Sequence, residues 1–497
     1  MNNIYDIIII GSGIGGLVTG TILSREGYSV CILEKNYQSG GAIQNFSRNG
    51  VTFDVGAHYI GGVDEGQNLY KLLRFLNVKD KIKIKKLDTD AYDIISFLNA
   101  RKEYKHAQGF ENFKEKLLSA FPSEEKSLDN YLKAVNEIVD KFPLFKISKG
   151  EYTLFNTHAQ NQTIGNFLDG LTENQRLKNV LTGNNLLYAG DRSRTPSSVH
   201  ALIHYSYLES AYRFVGGTSQ LADALTNEIK TNGGKVMINS EVVKFHFKDE
   251  LIHSIELNCG ERIFGKHFIS NFHPTKTFQL IEKGKVRNVY YKRMLNLKNT
   301  VSVFSLYGVL KPETFPYINS NHYIYKNDNV WGVNYKSENW PDMCMFFTQS
   351  AKMEEEYAKG YTVLAYMKYD EVAKWSDTTI EKRGDDYLQF KEEKTQKLLD
   401  LIERKFPDIR FCTHSIYTAT PLTYRDYTAT PEGSMCGVVR DAYNLMENLV
   451  LPNTKIPNLF FVGQNTILHG VIGVIIGSLL TCSKFINIDK IIDRINQ

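Results

Sequence analysis

The chain has 497 residues, of which 42% are hydrophobic and 23% charged, an ordinary composition for a globular protein with a large core. Its 59 basic and 55 acidic side chains leave a net charge of only +4, so no strong field selects nucleic acid as a partner. The six cysteines are far apart, with no C-x-x-C pair and no zinc spacing, which suits a reducing cytoplasm and argues against a metal site.

In chain order, residues 4–10 (IYDIIII) read as a buried parallel strand closed by Gly11. Asp6 and the glycines that follow argue against a secretory signal in this apolar start. Residues 15–26 carry Leu17, Ile22 and Leu23 at helical spacing, and 28–33 (YSVCIL) read as a second strand, so the opening is a β-α-β unit. From about 70 to 205 the chain is charged and helix-patterned, as in ENFKEKLLSAF and SLDNYLKAVNEIVDKF. Strand-like segments return at 235–247 and 251–257, and a mixed region rich in tyrosine and phenylalanine runs from 276 to 409. A strand at 459–462 and an apolar helix from about 470 close the chain. The apolar run 471–480 is too short to span a bilayer.

The run Gly11-Ser12-Gly13-Ile14-Gly15-Gly16 stands directly after the first strand and opens the helix. Gly11 permits the tight turn, Gly13 lets backbone approach a pyrophosphate, and Gly16 allows close packing of helix on strand. The helix N-terminus offers free N–H groups and a positive dipole end to phosphate. Glu34 ends the second strand 18 residues after Gly16, where an acid can accept hydrogen bonds from ribose hydroxyls and would repel a 2′-phosphate. Strand, glycines, helix, second strand and acid in register predict a dinucleotide site, without saying which dinucleotide. No second complete G-x-G-x-x-G follows, so no separate nicotinamide domain is expected.

Further motifs are Ser39-Gly40-Gly41-Ala42, the run FDVGAHYIG at 53–61, and Tyr212-Arg213-Phe214-Val215-Gly216-Gly217. Later come Pro421-Leu422-Thr423-Tyr424-Arg425-Asp426, the run NLFFVGQN at 458–465, and His469-Gly470-Val471-Ile472-Gly473. This layout resembles the flavin amine oxidase and phytoene desaturase superfamily, and within it the retinol saturase and carotenoid isomerase branch. The resemblance covers both ends and the middle of the chain, about half of it. It implies an α/β fold: a discontinuous Rossmann-type FAD-binding domain (1–75, 205–275 and 410–497) with an inserted α+β substrate domain (76–204 and 276–409).

The resemblance further implies that Gly11, Gly13, Ile14, Gly15, Gly16, Glu34 and Lys35 hold the ADP half of FAD. Gly40, Gly41, Ala42, Gly56 and His58 would lie along the flavin side, and Val242 would present its backbone to the adenine. Gly463, Gln464, Gly470, Val471 and Gly473 would face the pyrophosphate and the isoalloxazine ring. Many relatives carry arginine where this chain has Ala42, which removes a charge contact expected at that point.

The implied activity is saturation or desaturation of C=C bonds in a hydrophobic polyene or isoprenoid. Redox-neutral carotenoid isomerisation, amine oxidation, or a non-enzymatic prenyl carrier similar to the Rab GDP-dissociation inhibitors are the alternatives. Saturation needs a proton beside the flavin's hydride, and His469, His58 and Tyr59 are the candidates by motif position, with His200 behind them. The stretches 71–86 and 289–297 mix apolar and basic residues, as a peripheral membrane contact would, although solvated amphipathic elements read the same way.

Overall fold

The computed structural model describes residues 4–150, 152 and 158–497. The predicted β-α-β opening forms as Ile4–Ile10, Ile14–Arg25 and Val30–Leu33, with Ile7 to Ile10 and all of the second strand buried. Unbroken apolar runs of this kind are what a parallel strand covered on both faces requires.

Among the described residues the first sheet has the order Lys235–Met237, Val30–Leu33, Ile4–Ile10, Arg262–Ser270, Leu251–Leu257, Val242–Lys248. Leu459–Phe461 pairs in parallel with Arg262–Ser270. The predicted segment 235–247 is therefore two strands, at the two ends of this order. The chain turns at Ile238–Glu241, where Asn239 N and Ser240 N donate to the carbonyls of Asn36 and Glu34. The strand Arg262–Ser270 lies at the centre, parallel to Ile4–Ile10, yet its sequence announces nothing. Arg262, Lys266 and His267 break both the alternating and the continuous apolar pattern, and an unbroken buried run is reached only at Phe268, Ile269 and Ser270.

The second sheet runs Thr413–Ala419, Ser302–Leu310, Gly360–Met367, Met343–Thr348, Asn321–Tyr325, Asp93–Phe97, Lys102–His106. Ser302–Leu310, Asn321–Tyr325, Met343–Thr348 and Gly360–Met367 are buried at every position. The aromatic richness of 276–409 is thus the composition of strands covered on both faces. The hairpin Asp93–Phe97/Lys102–His106 was hidden in a helix-patterned region; the helices expected beside it form as Phe110–Ala120 and Glu125–Asp140. A short antiparallel sheet of Ile60–Gly61, Ala211–Phe214 and Ile84–Lys86 joins the segments that enter and leave this part of the chain.

Candidate active site

The glycine turn is held by backbone. Gly11 N donates to Leu33 O at 2.7 Å, Gly40 N donates to Ser12 O at 3.0 Å, and Gly13 bridges Gly40. A side chain at Gly16 would strike the Gly11 carbonyl, and one at Gly15 would lie 2.8 Å from Gly463 Cα. Residues 448 positions apart in sequence therefore share one contact, which a side chain at Gly15 would obstruct. Glu34 is buried, and its carboxylate accepts from Ser12 N at 3.0 Å, Ser12 Oγ at 2.6 Å and Asn36 N at 2.9 Å.

A cavity of about 780 Å³ begins at this turn. Gly11, Gly13, Ile14, Gly15, Glu34, Lys35, Gly41, Ala42, Gly56, His58, Tyr59, Val242, Gly463, Gln464, His469, Gly470 and Val471 all line it. Three expected residues do not. Gly16 packs under the turn, Gly40 faces Ala222 and Gln44, and Gly473 lines a separate pocket of about 110 Å³. Lys35 borders the cavity, but its Nζ reaches across to donate to Asp426 O at 2.7 Å.

The opposite wall is apolar and comes from the second sheet and its neighbours: Val303, Met345, Leu364, Leu186 and Ile203. The cavity therefore combines a polar end built of backbone N–H groups with an apolar end, the usual make-up of a cofactor-and-substrate cleft.

The two candidate histidines line the cavity and are buried. His58 keeps Nδ1 without a partner among the described residues, and burial, reinforced by the charge of Arg213, lowers it to about 3. His469 has Nε2 3.2 Å from Leu187 O and Nδ1 without a partner. Burial and the charge of Arg440 lower it to about 3, against a small opposing pull from the Leu187 carbonyl. Both are neutral at neutral pH. Because a carbonyl can only accept, His469 carries its proton on Nε2 and turns a bare Nδ1 lone pair to its surroundings.

Tyr59 donates its hydroxyl to Asp93 Oδ2 at 3.0 Å and lies 2.8 Å from the hydroxyl of Tyr323. Asp93 also accepts from Asn321 Nδ2 at 2.8 Å and Asn184 Nδ2 at 3.1 Å. Burial pushes Asp93 up to about 6 despite these donors. Arg213, 1% exposed, donates to Asn321 Oδ1 at 2.5 Å and Thr348 O at 2.8 Å, so an amide links this cation to Asp93. His200 lies off the cavity in a buried cluster, hydrogen-bonded to Tyr131 at 2.8 Å and Tyr188 at 3.0 Å.

The sequence reading missed Asn271, which follows the unannounced central strand. Its Nδ2 donates to Gly11 O at 3.2 Å and fills the space beside Gly13, Gly15 and Gly463. It also missed Asp93, Arg440 and the cavity-lining Lys276. Asp93 meets Tyr59 across 34 residues and Arg440 meets Gln464 across 24, so no local pattern marks either. The basic-apolar stretch 71–86 is largely structural: Leu72, Leu73 and Leu76 are buried, Lys81 pairs with Glu228, and Lys86 pairs with Asp64 at 2.6 Å. Among the described residues no helix is long and apolar enough to cross a membrane, and no cluster of His, Cys, Asp and Glu is arranged to hold a metal.

The family described as NAD(P)-binding Rossmann-like domain matches residues 9–76. The chain is 28% identical over 534 residues to the all-trans-retinol 13,14-reductase of Macaca fascicularis, spanning 97% of this chain and 85% of the relative. It is 24% identical over 509 residues to a chloroplastic prolycopene isomerase of an Oncidium hybrid cultivar, spanning 97% of this chain and 83% of the relative. Among solved structures, putrescine oxidase bound to putrescine matches with a TM-score of 0.66 at 12% identity, covering 97% of this chain and 99% of that one. The resemblance read from the motifs thus extends over nearly the whole chain, and the fold is of the same Rossmann-type, two-part α/β kind.

Proposed function

We propose that this chain is an FAD-dependent oxidoreductase that saturates or desaturates C=C bonds of a hydrophobic polyene or isoprenoid. The observation that carries the reading is the single cavity that joins the Gly11–Gly15 turn to the apolar wall of Val303, Met345 and Leu364. FAD fits the donor set: an extended cleft whose polar end is free backbone N–H and whose far end holds buried histidine nitrogens without partners. In this reading 1–75, 205–275 and 410–497 form the FAD-binding part, and 76–204 with 276–409 form the substrate part.

Gly11, Gly13 and Gly15 would hold the pyrophosphate, Glu34 the ribose, and the Val242 backbone the adenine. Gly41, Ala42, Gly463, Gln464, Gly470 and Val471 would flank the ring. When bound, the flavin supplies hydride transfer at its own ring nitrogen. The chain's task is to orient the polyene and exclude water. Val303, Met345 and Leu364 give the apolar surface for this. His469, neutral with its proton on Nε2, offers Nδ1 as a hydrogen-bond acceptor, and His58 is likewise neutral. Tyr59 lines the wall as well, but its hydroxyl donates to Asp93, and burial with the charge of Asp93 raises it well above the ordinary tyrosine value, so it keeps its proton.

The similarity to a prolycopene isomerase supports a second reading, redox-neutral cis-trans isomerisation. The test is the visible spectrum of purified protein with FAD, followed by anaerobic reduction and addition of all-trans-retinol. Bleaching on reduction, recovery of colour with the polyene and a product two mass units heavier support saturation. Unchanged product mass with altered geometry supports isomerisation. A folded protein that takes up no FAD overturns both, and rapid bleaching by amines but not polyenes makes it an amine oxidase.

A further inference from the structure

Behind the Gly463–His469 segment stands a cation to which none of the roles above assigns a task. Arg440 is half-buried. It donates through Nε to Ile467 O at 3.0 Å, through Nη1 to Val438 O at 3.1 Å and through Nη2 to Gln464 O at 2.6 Å. Among the described residues no carboxylate lies within ion-pair distance of it. The adjacent acid is engaged elsewhere: Asp441 pairs with Arg194 at 3.3 Å and accepts from Tyr443 N at 2.9 Å. A guanidinium bound only to carbonyl dipoles keeps its full charge, and its field extends to whatever lies across the segment it grips.

Across that segment is the large cavity, lined by Gln464, Asn465 and His469 themselves. One further feature there favours negative charge, and a second marks a place for a bound group. The helix Gly470–Cys482 starts at His469 without a side-chain cap, leaving its first-turn N–H groups free. His469 is 6% exposed and keeps an unpartnered Nδ1, a buried polar atom left for a bound group to satisfy, and as a neutral imidazole it adds no second cation beside Arg440. A cation without an anion beside a helix N-terminus is an incomplete electrostatic site, and charge arriving in the cavity completes it.

We propose that Arg440 is a positioning residue that makes the Gln464–Val471 end of the cavity select a negatively charged ring, so that a flavin there is held more tightly once reduced. The inference rests on the FAD reading above. It acts through the charge of Arg440 and not through its ties to the three carbonyls.

The experiment measures the two-electron midpoint potential of FAD bound to the full chain, unaltered and as Arg440→Gln and Arg440→Lys, with thermal melting alongside. Loss of charge in Arg440→Gln is expected to weaken reduced relative to oxidised binding about tenfold, a potential lower by about 30 mV. Arg440→Lys, which keeps the charge but not the full set of ties, stays close to the unaltered protein. Equal shifts in both variants, or none in either, overturn the proposal and leave Arg440 as a structural tie. If Arg440→Gln does not fold, the spectrum of reduced flavin in the unaltered protein decides. An anionic spectrum that persists on acidification beyond that of free reduced flavin supports the proposal, and a neutral one at neutral pH overturns it. Failure of the unaltered protein to bind FAD is seen first and falls on the cofactor reading.

Discussion

Tyr59 and Asp93 meet where the motif-bearing segment touches the second sheet, the tyrosine hydroxyl donating to the carboxylate at 3.0 Å. Asp93 sits in the edge-side strand Asp93–Phe97, and Arg213 reaches it through Asn321. The contact ties a cavity-wall residue to a buried acid, and it invites a direct test.

Tyr59→Phe removes one of the donors that favour ionised Asp93. The variant should lose about 1 kcal/mol of stability in urea unfolding, because a buried carboxylate oxygen keeps Asn184 Nδ2 but loses its second donor. The acidic limb of the pH profile for polyene turnover should also move to higher pH, as Asp93 becomes harder to ionise. An unchanged pH profile would separate Asp93 from the chemistry.

Gly15→Ala places a methyl group 2.8 Å from Gly463 Cα and 2.9 Å from Gly463 N, both backbone atoms that cannot step aside. FAD affinity is expected to fall at least about tenfold, or about 1.4 kcal/mol, in a fluorescence titration. The near-ultraviolet circular dichroism of the protein should be retained. Full affinity in this variant would show that the turn and the Gly463 segment need not touch.

Acid should destabilise the fold through its buried histidines. His58, His200 and His469 are each lowered from 6.5 to about 3, chiefly by burial. Above pH 6.5 they are neutral in both folded and unfolded chains and contribute no pH dependence. Between 6.5 and about 3 the unfolded chain binds protons that the folded chain refuses, so stability falls as pH falls, by about 1.4 kcal/mol per unit for each histidine. Urea midpoints at successive pH values should show this slope, and His58→Gln should reduce it by one proton. A slope unaltered in that variant would mean that His58 titrates normally.

Leu364→Trp introduces a larger side chain at the apolar end of the cavity, far in sequence from any glycine motif. The Michaelis constant for all-trans-retinol should rise about tenfold or more. FAD affinity should stay within about twofold, since no cofactor-holding residue is touched. A parallel loss of FAD would place the polyene elsewhere and make Leu364 part of the ring pocket.

The local code wrote the β-α-β opening plainly. An unbroken apolar strand, glycines at fixed offsets and Glu34 closing the second strand are short-range features, and Ile4–Ile10, Ile14–Arg25 and Val30–Leu33 follow from them. The motif residues His58, Tyr59, Gln464 and His469 could likewise be picked out by position, and all four line one cavity. What each of them does there depended on partners that sequence does not name. His469 is a neutral acceptor because Leu187 O, 282 residues away, takes its Nε2 proton. Tyr59 is an acid-backed donor because the hairpin bearing Asp93 folds beneath it. The central strand Arg262–Ser270 looks too charged to be central, and it becomes so only when Ile4–Ile10 and Leu459–Phe461 cover its edges. Periodicity reports how a segment meets its own neighbours along the chain. Burial, tautomer and charge are set by residues brought from hundreds of positions away, and those only the tertiary structure decided.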